Sequence, residues 1–472
     1  MTHIPRPTRL WLLGLSAAIA VLAGCGGGGS SGGSSGGGVA AADCSESARK
    51  QFVLASSREW YLFPDLLPAS INVGSYAKAE DLLDALTATA REQGKDRYFS
   101  YLTTQAEDNS VLGEGQFNGF GFRNRTETGN RPFVLDVFEN SPAAEAGLLR
   151  GDEIVAVDQG NGFVAIGELL ANGATLSDVL GPADVNVRRG LRLLRDGVTR
   201  DVVMVKRTVT IDPVPDSFGV RTFALAGTPG VGYVHLRSYI STADTQLGAA
   251  LAQFRSAGIQ DFIIDLRYNG GGLVDTARVL NNLLGGARSS ADVQFRVIHN
   301  SAKSSRNETT TFQPTLQSVS PVRVAFLTTD GTASASEINI NSMKPWLETA
   351  IVGSNTYGKP VGQLPFDLKG CPDRLRLVSF KTVNKLDEGD YYNGLASSMR
   401  FACAADDTLT APLGDPTDNL TREALDWLRT GSCNALMAQS VAGAAKPGFA
   451  RPDRYPLGRN PSAAQRWLPG IE

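Results

Sequence analysis

The residues best placed to do chemistry run from Gly331 to Gln363, opening with Gly331-Thr332-Ala333-Ser334-Ala335-Ser336-Glu337 after the apolar run 322–327. This order predicts a strand, a turn of small residues and then a helix over 336–346, on which Ile338, Ile340, Met343 and Leu347 offer an apolar side. Glu337 falls in the first turn, where a carboxylate complements the helix dipole. Ser334 is thereby expected at an exposed junction with the helix N-terminus behind it. A serine hydroxyl is a weak nucleophile until a base takes its proton. Of the three histidines, His3 lies in a leader-like stretch, His235 inside the strand-like run 231–236 and His299 in a polar region, so no His-Asp pairing suggests itself. A lysine is the economical base, because burial in an apolar pocket lowers its pKa from about 10.4 by several units. Lys359 follows a short apolar strand over 350–353, stands in uncharged surroundings, and is kept extended by Pro360.

The Ser-Ala-Ser-Glu turn, the later Gly358-Lys359 and the run Asp265-Leu266-Arg267-Tyr268-Asn269-Gly270-Gly271-Gly272 together resemble the tail-specific, or C-terminal processing, serine peptidases. The resemblance implies a Ser-Lys dyad that cleaves peptide bonds, with Ser334 as nucleophile and Lys359, 25 residues on, as general base. It further implies Gln363 as the group orienting the lysine, Glu337 as a supporting carboxylate, and an oxyanion hole from backbone N–H groups of Gly271, or its neighbour, and of Ala335. Backbone donors need no side-chain reorganisation. Two positions depart from the family pattern: Gly270 stands where the family usually has proline, and Pro360 where it usually has glycine. The first loosens the turn and the second stiffens the lysine strand.

Other chemistries fit less well. Ser336 is the rival nucleophile in the same turn, though at a helix start it could simply cap; family spacing favours Ser334. No G-x-S-x-G surrounds any serine, and the one local S-x-x-K, Ser47 to Lys50, lies in an amphipathic helix without companion motifs. Gly270-Gly271-Gly272 has neither the dinucleotide spacing nor a P-loop lysine, which argues against nucleotide binding. The histidines are scattered and the cysteines lack short paired spacing, so neither metal nor cofactor is expected.

Around the site the chain divides into a helical part over 44–116, a PDZ-like unit over 117–208, a catalytic core over 209–433 and a Pro/Arg-rich tail over 434–472. Apolar residues recur at helical spacing over 48–61 and 79–91. The phrase Asp96-Arg97-Tyr98-Phe99-Ser100-Tyr101-Leu102 is similar to one that precedes the PDZ domain in processing peptidases, its aromatics reading as packing residues. The PDZ resemblance rests on Ser141-Pro142-Ala143-Ala144-Glu145-Ala146-Gly147-Leu148, on Gly119-Phe120-Gly121-Phe122 as a carboxylate loop, and on Asp196-Gly197 as a hairpin turn between alternating runs. Such a domain takes an extended C-terminus by strand addition. From 231 onward strands and helices alternate: strands 231–236, 262–266, 293–298 and 322–327, helices 242–257 and 274–284. The fold class expected is α/β, α+β overall: a βαβ-type catalytic core with extra β elements, an inserted PDZ domain and an N-terminal helical part.

Residues 1–24 read as a secretory leader, with Arg6 and Arg9 before an apolar stretch too short to span a bilayer. The junction Leu22-Ala23-Gly24-Cys25 is similar to a lipoprotein processing site, which implies lipidation of Cys25, and the Gly/Ser stretch that follows, within 25–43, suits a flexible tether. The expectation is an exported bacterial lipoprotein, held at the outer membrane and facing the periplasm or the cell surface. The remaining Cys44, Cys371, Cys403 and Cys433 allow two disulfides, with Cys371–Cys403 and Cys44–Cys433 favoured. A hydrophobic share of 42% supplies sizeable cores, while a formal net charge of −3 gives no footprint for nucleic acid. The prolines of the tail predict an extended or disordered coil.

The composite expectation is an exported serine endopeptidase acting on proteins or peptides with accessible C-termini. A non-catalytic tail-binding lipoprotein of the cell envelope is the alternative, and an esterase with the same dyad the third reading.

Overall fold

The computed structural model describes residues 43–171, 173–436, 457–458 and 461–472. The leader, Cys25, almost all of the tether and most of the Pro/Arg-rich tail lie outside the described residues. Among the described residues no helix is long and apolar enough to cross a membrane.

The catalytic core is a six-stranded sheet whose spatial order follows the chain: Val220–Phe223, Val231–His235, Asp261–Asp265, Arg323–Thr328, Glu348–Gly353 and Phe401–Ala404. All neighbours are parallel except the first pair. Parallel strands need crossovers, and helices on both faces bury them twice. Alternate residues therefore enter different layers. Phe262, Ile264, Val324, Phe326 and Ile351 pack with the helices Ala243–Ser256, Val274–Leu284 and Ala335–Met343. Ile263, Ala325, Leu327, Ala350 and Val352 meet Leu420, Ala424, Trp427 and Leu428 of the helix Asn419–Thr430. The expected strands and helices fall within a few residues of these bounds, but Val293–His299 leaves the alternation. It pairs antiparallel with Asp373–Asn384 in a second sheet that also holds Tyr101–Thr104, Glu308–Thr311 and Val361–Asp367. The helices Glu46–Trp60 and Ala79–Glu92 cover this sheet, burying Val53, Leu82 and Leu86 against Leu375, Leu377 and Val378.

A third sheet runs Phe122–Glu127, Arg131–Val137, Glu153–Asp158, Arg188–Arg195, Val198–Val205, with Phe163–Ala165 beside Glu153–Asp158. Its own core includes Phe120, Phe122, Ile154, Leu191, Leu193 and Met204. Asp196 and Gly197, at φ 50° and 78°, form the expected hairpin turn, both residues in the left-handed region that matches strand twist. Ser141 caps the short helix Pro142–Glu145 by accepting from the Ala144 N–H at 3.1 Å.

The disulfides correct the favoured pairing: the bonds are Cys44–Cys371 and Cys403–Cys433. Packing of the helix Glu46–Trp60 on Asp373–Asn384 brings Cys44 to the turn that enters that strand, with Cα atoms 5.7 Å apart. Cys403 lies on the edge strand of the core, and the segment after the helix Asn419–Thr430 returns along that edge, pairing Ala435 with Cys403. The tail also departs from expectation. Residues 461–472 are not a solvated coil: Ala463–Trp467 is a helix, and Trp467, Leu468, Ile471 and Glu472 are buried.

Candidate active site

Ser334 stands between the strand Arg323–Thr328 and the helix Ala335–Met343 with φ 56° and ψ −116°, a conformation rarely adopted by residues other than glycine. The neighbouring turn, 266–272, holds it there. Thr332 Oγ1 donates to the Leu266 carbonyl at 2.8 Å, the Ala333 N–H to the Asn269 carbonyl at 3.0 Å, and Ser336 Oγ to that same carbonyl at 2.9 Å. Ser336 is fully buried with its hydroxyl spent on this bond, so it serves the turn. Ser334, 8% exposed, retains a route to solvent. Gly271, at φ 103°, closes the contact: a Cβ there would sit 2.8 Å from both Ser334 Cβ and Ala335 N. Its N–H donates to Asn269 Oδ1 at 2.9 Å, so of the two expected oxyanion donors Gly271 is already engaged. Ala335 is the first residue of its helix, where N–H groups have no intrahelical partner.

Glu337 joins the two halves of the site. Its buried carboxylate accepts from the Ser334 N–H at 3.0 Å and the Lys359 N–H at 2.8 Å on one oxygen, and from the Gly358 N–H at 2.8 Å on the other. Burial pushes its carboxyl upward, opposed by the hydroxyl of Thr356 and these backbone donors. Lys359 is 9% exposed, and burial lowers its ammonium to about 8. The surroundings are not uncharged as expected: Asp96 and Glu337 pull the value up, while Arg376 and Arg97 push it down. Desolvation outweighs the two carboxylates. The amine donates to Gln363 Oε1 at 3.3 Å and lies 4.8 Å from the Phe99 ring centroid and 5.5 Å from that of Trp467. Among the described residues no hydrogen bond joins Ser334 Oγ to Lys359 Nζ. Gln363 Nε2 in turn donates to the Phe99 carbonyl, which fixes the acceptor toward the lysine.

The phrase at Asp96 therefore does more than pack. The Asp96 carboxylate accepts from Tyr61 Oη, Ser100 Oγ and the N–H groups of Phe99 and Ser100, shaping the loop that roofs Lys359. Arg97 donates to the Tyr357 carbonyl at 3.1 Å and stacks 4.2 Å from that ring. The signal for this role was an acid and a base beside aromatics, with nothing in local spacing to link them to residues some 260 positions away. Trp467 carried no signal at all.

A His-Asp pair does exist, contrary to expectation: His235 Nδ1 is 3.4 Å from Asp265 Oδ2. Asp265 also accepts from Tyr233 Oη at 2.7 Å and Arg267 Nη2 at 2.6 Å, and Arg267 continues to Asp418 at 3.0 Å. The strong nearby cations hold Asp265 far below the usual carboxylate range. This is a buried structural network, without a bond to Ser334. Lys50 donates to the Tyr76 carbonyl at 2.8 Å, so Ser47 to Lys50 forms no dyad. No group of three or more His, Cys, Asp or Glu among the described residues could hold a metal. At the expected carboxylate loop, the Gly121 and Phe122 N–H groups donate to the main-chain oxygen of Glu472 at 2.7 and 3.4 Å.

Comparison with known proteins matches residues 48–101 to the peptidase S41 N-terminal domain and residues 230–394 to peptidase family S41. A carboxyl-terminal-processing protease of Synechocystis is 24% identical over 347 residues, covering 70% of this chain and 73% of that protein. A CtpA-like serine protease of Staphylococcus epidermidis is 27% identical over 301 residues, 62% of this chain, and the chain spans only 56% of that relative's length. The fold is shared with a Bacteroides fragilis protein assigned to the S41 proteases, at TM-score 0.61 and 22% identity, covering 81% of this chain and 97% of that one. The strands Val231–His235 to Glu348–Gly353 of the core, the serine turn and Lys359 thus lie in the stretch that matches peptidase family S41, and the helical layer over Lys359 in the stretch that matches its N-terminal domain.

Proposed function

We propose that this protein is an exported serine endopeptidase that hydrolyses peptide bonds of protein substrates chosen by their C-terminal tails. The observation that carries the reading is the joint seating of Ser334 and a desolvated Lys359 on one carboxylate, that of Glu337. A lysine is a base only when neutral, and an ammonium lowered to about 8 supplies that form near neutrality. In the reaction Lys359 takes the Ser334 hydroxyl proton as Oγ attacks the scissile carbonyl, and the resulting ammonium gives that proton to the leaving amine. Water, deprotonated by Lys359, then attacks the acyl-enzyme carbonyl, and the ammonium returns that proton to Ser334 Oγ as the ester bond breaks and the new carboxylate leaves. The Ala335 N–H stabilises the oxyanion in both steps. Gln363 acts as a positioning residue that holds the amine. The unit over 117–208 supplies tail capture in the manner of a PDZ domain, with the edge strand Phe122–Glu127 as the place of strand addition and the Gly119–Phe122 turn as its carboxylate loop. Cys25 is the proposed lipid attachment that keeps the enzyme at the membrane.

The test compares the wild type with Ser334→Ala and Lys359→Ala on an unfolded protein bearing an apolar C-terminal tail, with small esters alongside. Cleavage lost in both variants at unchanged circular dichroism supports the dyad. Cleavage by none of the three with tail binding retained supports a binding protein, and turnover of esters alone an acyl hydrolase.

A further inference from the structure

The segment 461–472 lies in the place of a ligand. The strand Phe122–Glu127 is the edge of its sheet, and edge strands leave a row of backbone groups unpaired. Here that row is filled. The Asn124 N–H donates to the Gly470 carbonyl at 2.8 Å, the Glu472 N–H to the Phe122 carbonyl at 2.9 Å, and Arg123 pairs antiparallel with Ile471. The main-chain oxygen of Glu472 takes both N–H groups of the carboxylate loop. Gly119 makes the approach possible, since a Cβ there would lie 2.9 Å from the Glu472 carbonyl.

Upstream the same segment crosses the site. A Cβ at Gly270 would fall 2.6 Å from the Trp467 carbonyl and 2.7 Å from Pro469 Cδ. The glycine that replaces the family's usual proline is thus what lets the segment lie on the turn beside Ser334. The Trp467 ring stands over the amine of Lys359, its Nε1 donating to Asp108 Oδ1 at 3.3 Å. Trp467, Leu468 and Ile471 are buried against Val111, Leu112, Phe117 and Phe138, which bridge the core and the edge of the third sheet. Glu472 at the carboxylate loop and Trp467 beside the lysine amine are thus five positions apart.

The anchor itself is polar. The Glu472 side chain, in a residue 4% exposed, accepts from Ser177 Oγ, from Asn124 Nδ2 at 3.5 Å and from Gln465 Nε2 of its own segment at 3.4 Å, facing the charge of Lys206. A carboxylate is all acceptor, so these donors suit it; an apolar side chain would leave them unpartnered and a basic one would set donor against donor.

We propose that residues 461–472 are the intramolecular occupant of a peptide groove whose anchor subsite, built by Asn124, Ser177 and Lys206, selects an acidic side chain, and that a tail with such an anchor displaces the segment and uncovers Ser334 and Lys359. The uncovering rests on the peptidase reading given above; the binding preference does not. A tethered occupant acts at an effective concentration on the order of 1 mM, so a segment whose own intrinsic Kd is about 50 μM would make an external peptide bind some twentyfold more weakly to the plugged protein.

The experiment uses full-length protein carrying Ser334→Ala, which binds without cutting. Labelled peptide of the sequence Arg-Trp-Leu-Pro-Gly-Ile-Glu, and twins ending in Ala or Lys, are titrated by fluorescence anisotropy into this protein with and without Ile471→Asp. The expected result is binding of the Glu peptide at least tenfold tighter to the Ile471→Asp form, with the Ala and Lys twins at least fivefold weaker than the Glu peptide in that form. Equal affinity with and without Ile471→Asp overturns the occupant, and equal affinity for the three peptides overturns the acidic anchor. Should Ile471→Asp misfold, hydrogen exchange on the parent protein decides: excess Glu peptide must deprotect the amides of 468–472, and unchanged protection refutes the proposal. The same displacement in a protein with intact Ser334 must raise cleavage of a protein substrate. Absence of any cleavage alongside the expected binding pattern fails the peptidase reading and leaves the groove assignment standing.

Discussion

Activity should follow the protonation of one buried amine, and its titration can be drawn from the structure. With Lys359 lowered to about 8, the neutral fraction rises about tenfold from pH 7 to pH 9 and then levels off. An unperturbed lysine near 10.4 would keep gaining about tenfold per pH unit to pH 10. The perturbation is Asp96→Asn, which keeps the shape of the side chain and removes the largest charge favouring the ammonium. Its inflection should move below that of the wild type, so that more activity is retained at pH 6.5. The assay is kcat/KM on an unfolded protein substrate from pH 6 to 10, with circular dichroism at each end. Stability gives an independent reading. The folded pKa is depressed, so the folded state binds fewer protons than the unfolded chain between about 8 and 10.5, and stability rises with pH across that window. Lys359→Met removes this dependence: its stabilisation relative to the wild type should be about 3 kcal/mol larger at pH 7 than above pH 10.5. A profile flat from pH 6 to 10, or one still climbing logarithmically at pH 10, would refute the reasoning, as would an inflection that Asp96→Asn moves upward.

Glu337→Gln turns one acceptor into a donor facing backbone N–H groups, at about 1.5–3 kcal/mol for a charge-assisted bond, and should lower kcat/KM by about 10- to 100-fold; a change under twofold would remove Glu337 from the site's support. Gly271→Ala drives a methyl into Ser334 Cβ and should cost more than about 100-fold in kcat with a loss of only about 1–3 kcal/mol in stability, read by steady-state kinetics beside urea unfolding. Ser336→Ala should keep the serine reactive toward a fluorophosphonate probe, whereas labelling that survives Ser334→Ala and disappears here would make Ser336 the nucleophile. Non-reducing peptide mapping should recover Cys44 with Cys371 and Cys403 with Cys433, and replacing the first pair by serines should cost about 2–5 kcal/mol; recovery of Cys371 with Cys403 contradicts the fold described.

The parts of the molecule legible in the sequence were those set by local periodicity or by a short motif. The helix Val274–Leu284 and the hairpin at Asp196-Gly197 follow from apolar spacing and turn chemistry alone. The serine turn was legible because small residues, a first-turn carboxylate and a preceding apolar run coincide. What stayed hidden depends on pairing between distant strands. Val293–His299 is apolar enough at Val293, Phe295, Val297 and Ile298 to read as a core strand, and its partner, Asp373–Asn384, assigns it to the other sheet. The disulfides misled for the same reason: order along the chain suggested tying start to end, whereas packing of the first helix on Asp373–Asn384 decided the partner of Cys44. The uncharged setting expected for Lys359 reflected its sequence neighbours; Asp96, Arg97 and Arg376 come from elsewhere. The tail was judged on its prolines, which limit regular structure but leave strand addition of a few residues open.

Three main-chain N–H groups from two separate loops converge on the two oxygens of Glu337, and this has a mechanical consequence. The serine and lysine arrive by different crossovers of the fold, yet each loop is bonded to the same carboxylate, so a shift of either pulls on the acceptor that holds the other. The pair therefore behaves as a single stiff part with one fastener. Aspartate, one methylene shorter, cannot span both loops, and glutamine brings a donor where an acceptor is required, so drift at this position is blocked by shape and polarity together. Sequence change can accumulate on either side of the fastener, in the roof over the lysine or in the turn under the serine, while the spacing between Ser334 and Lys359 stays the same.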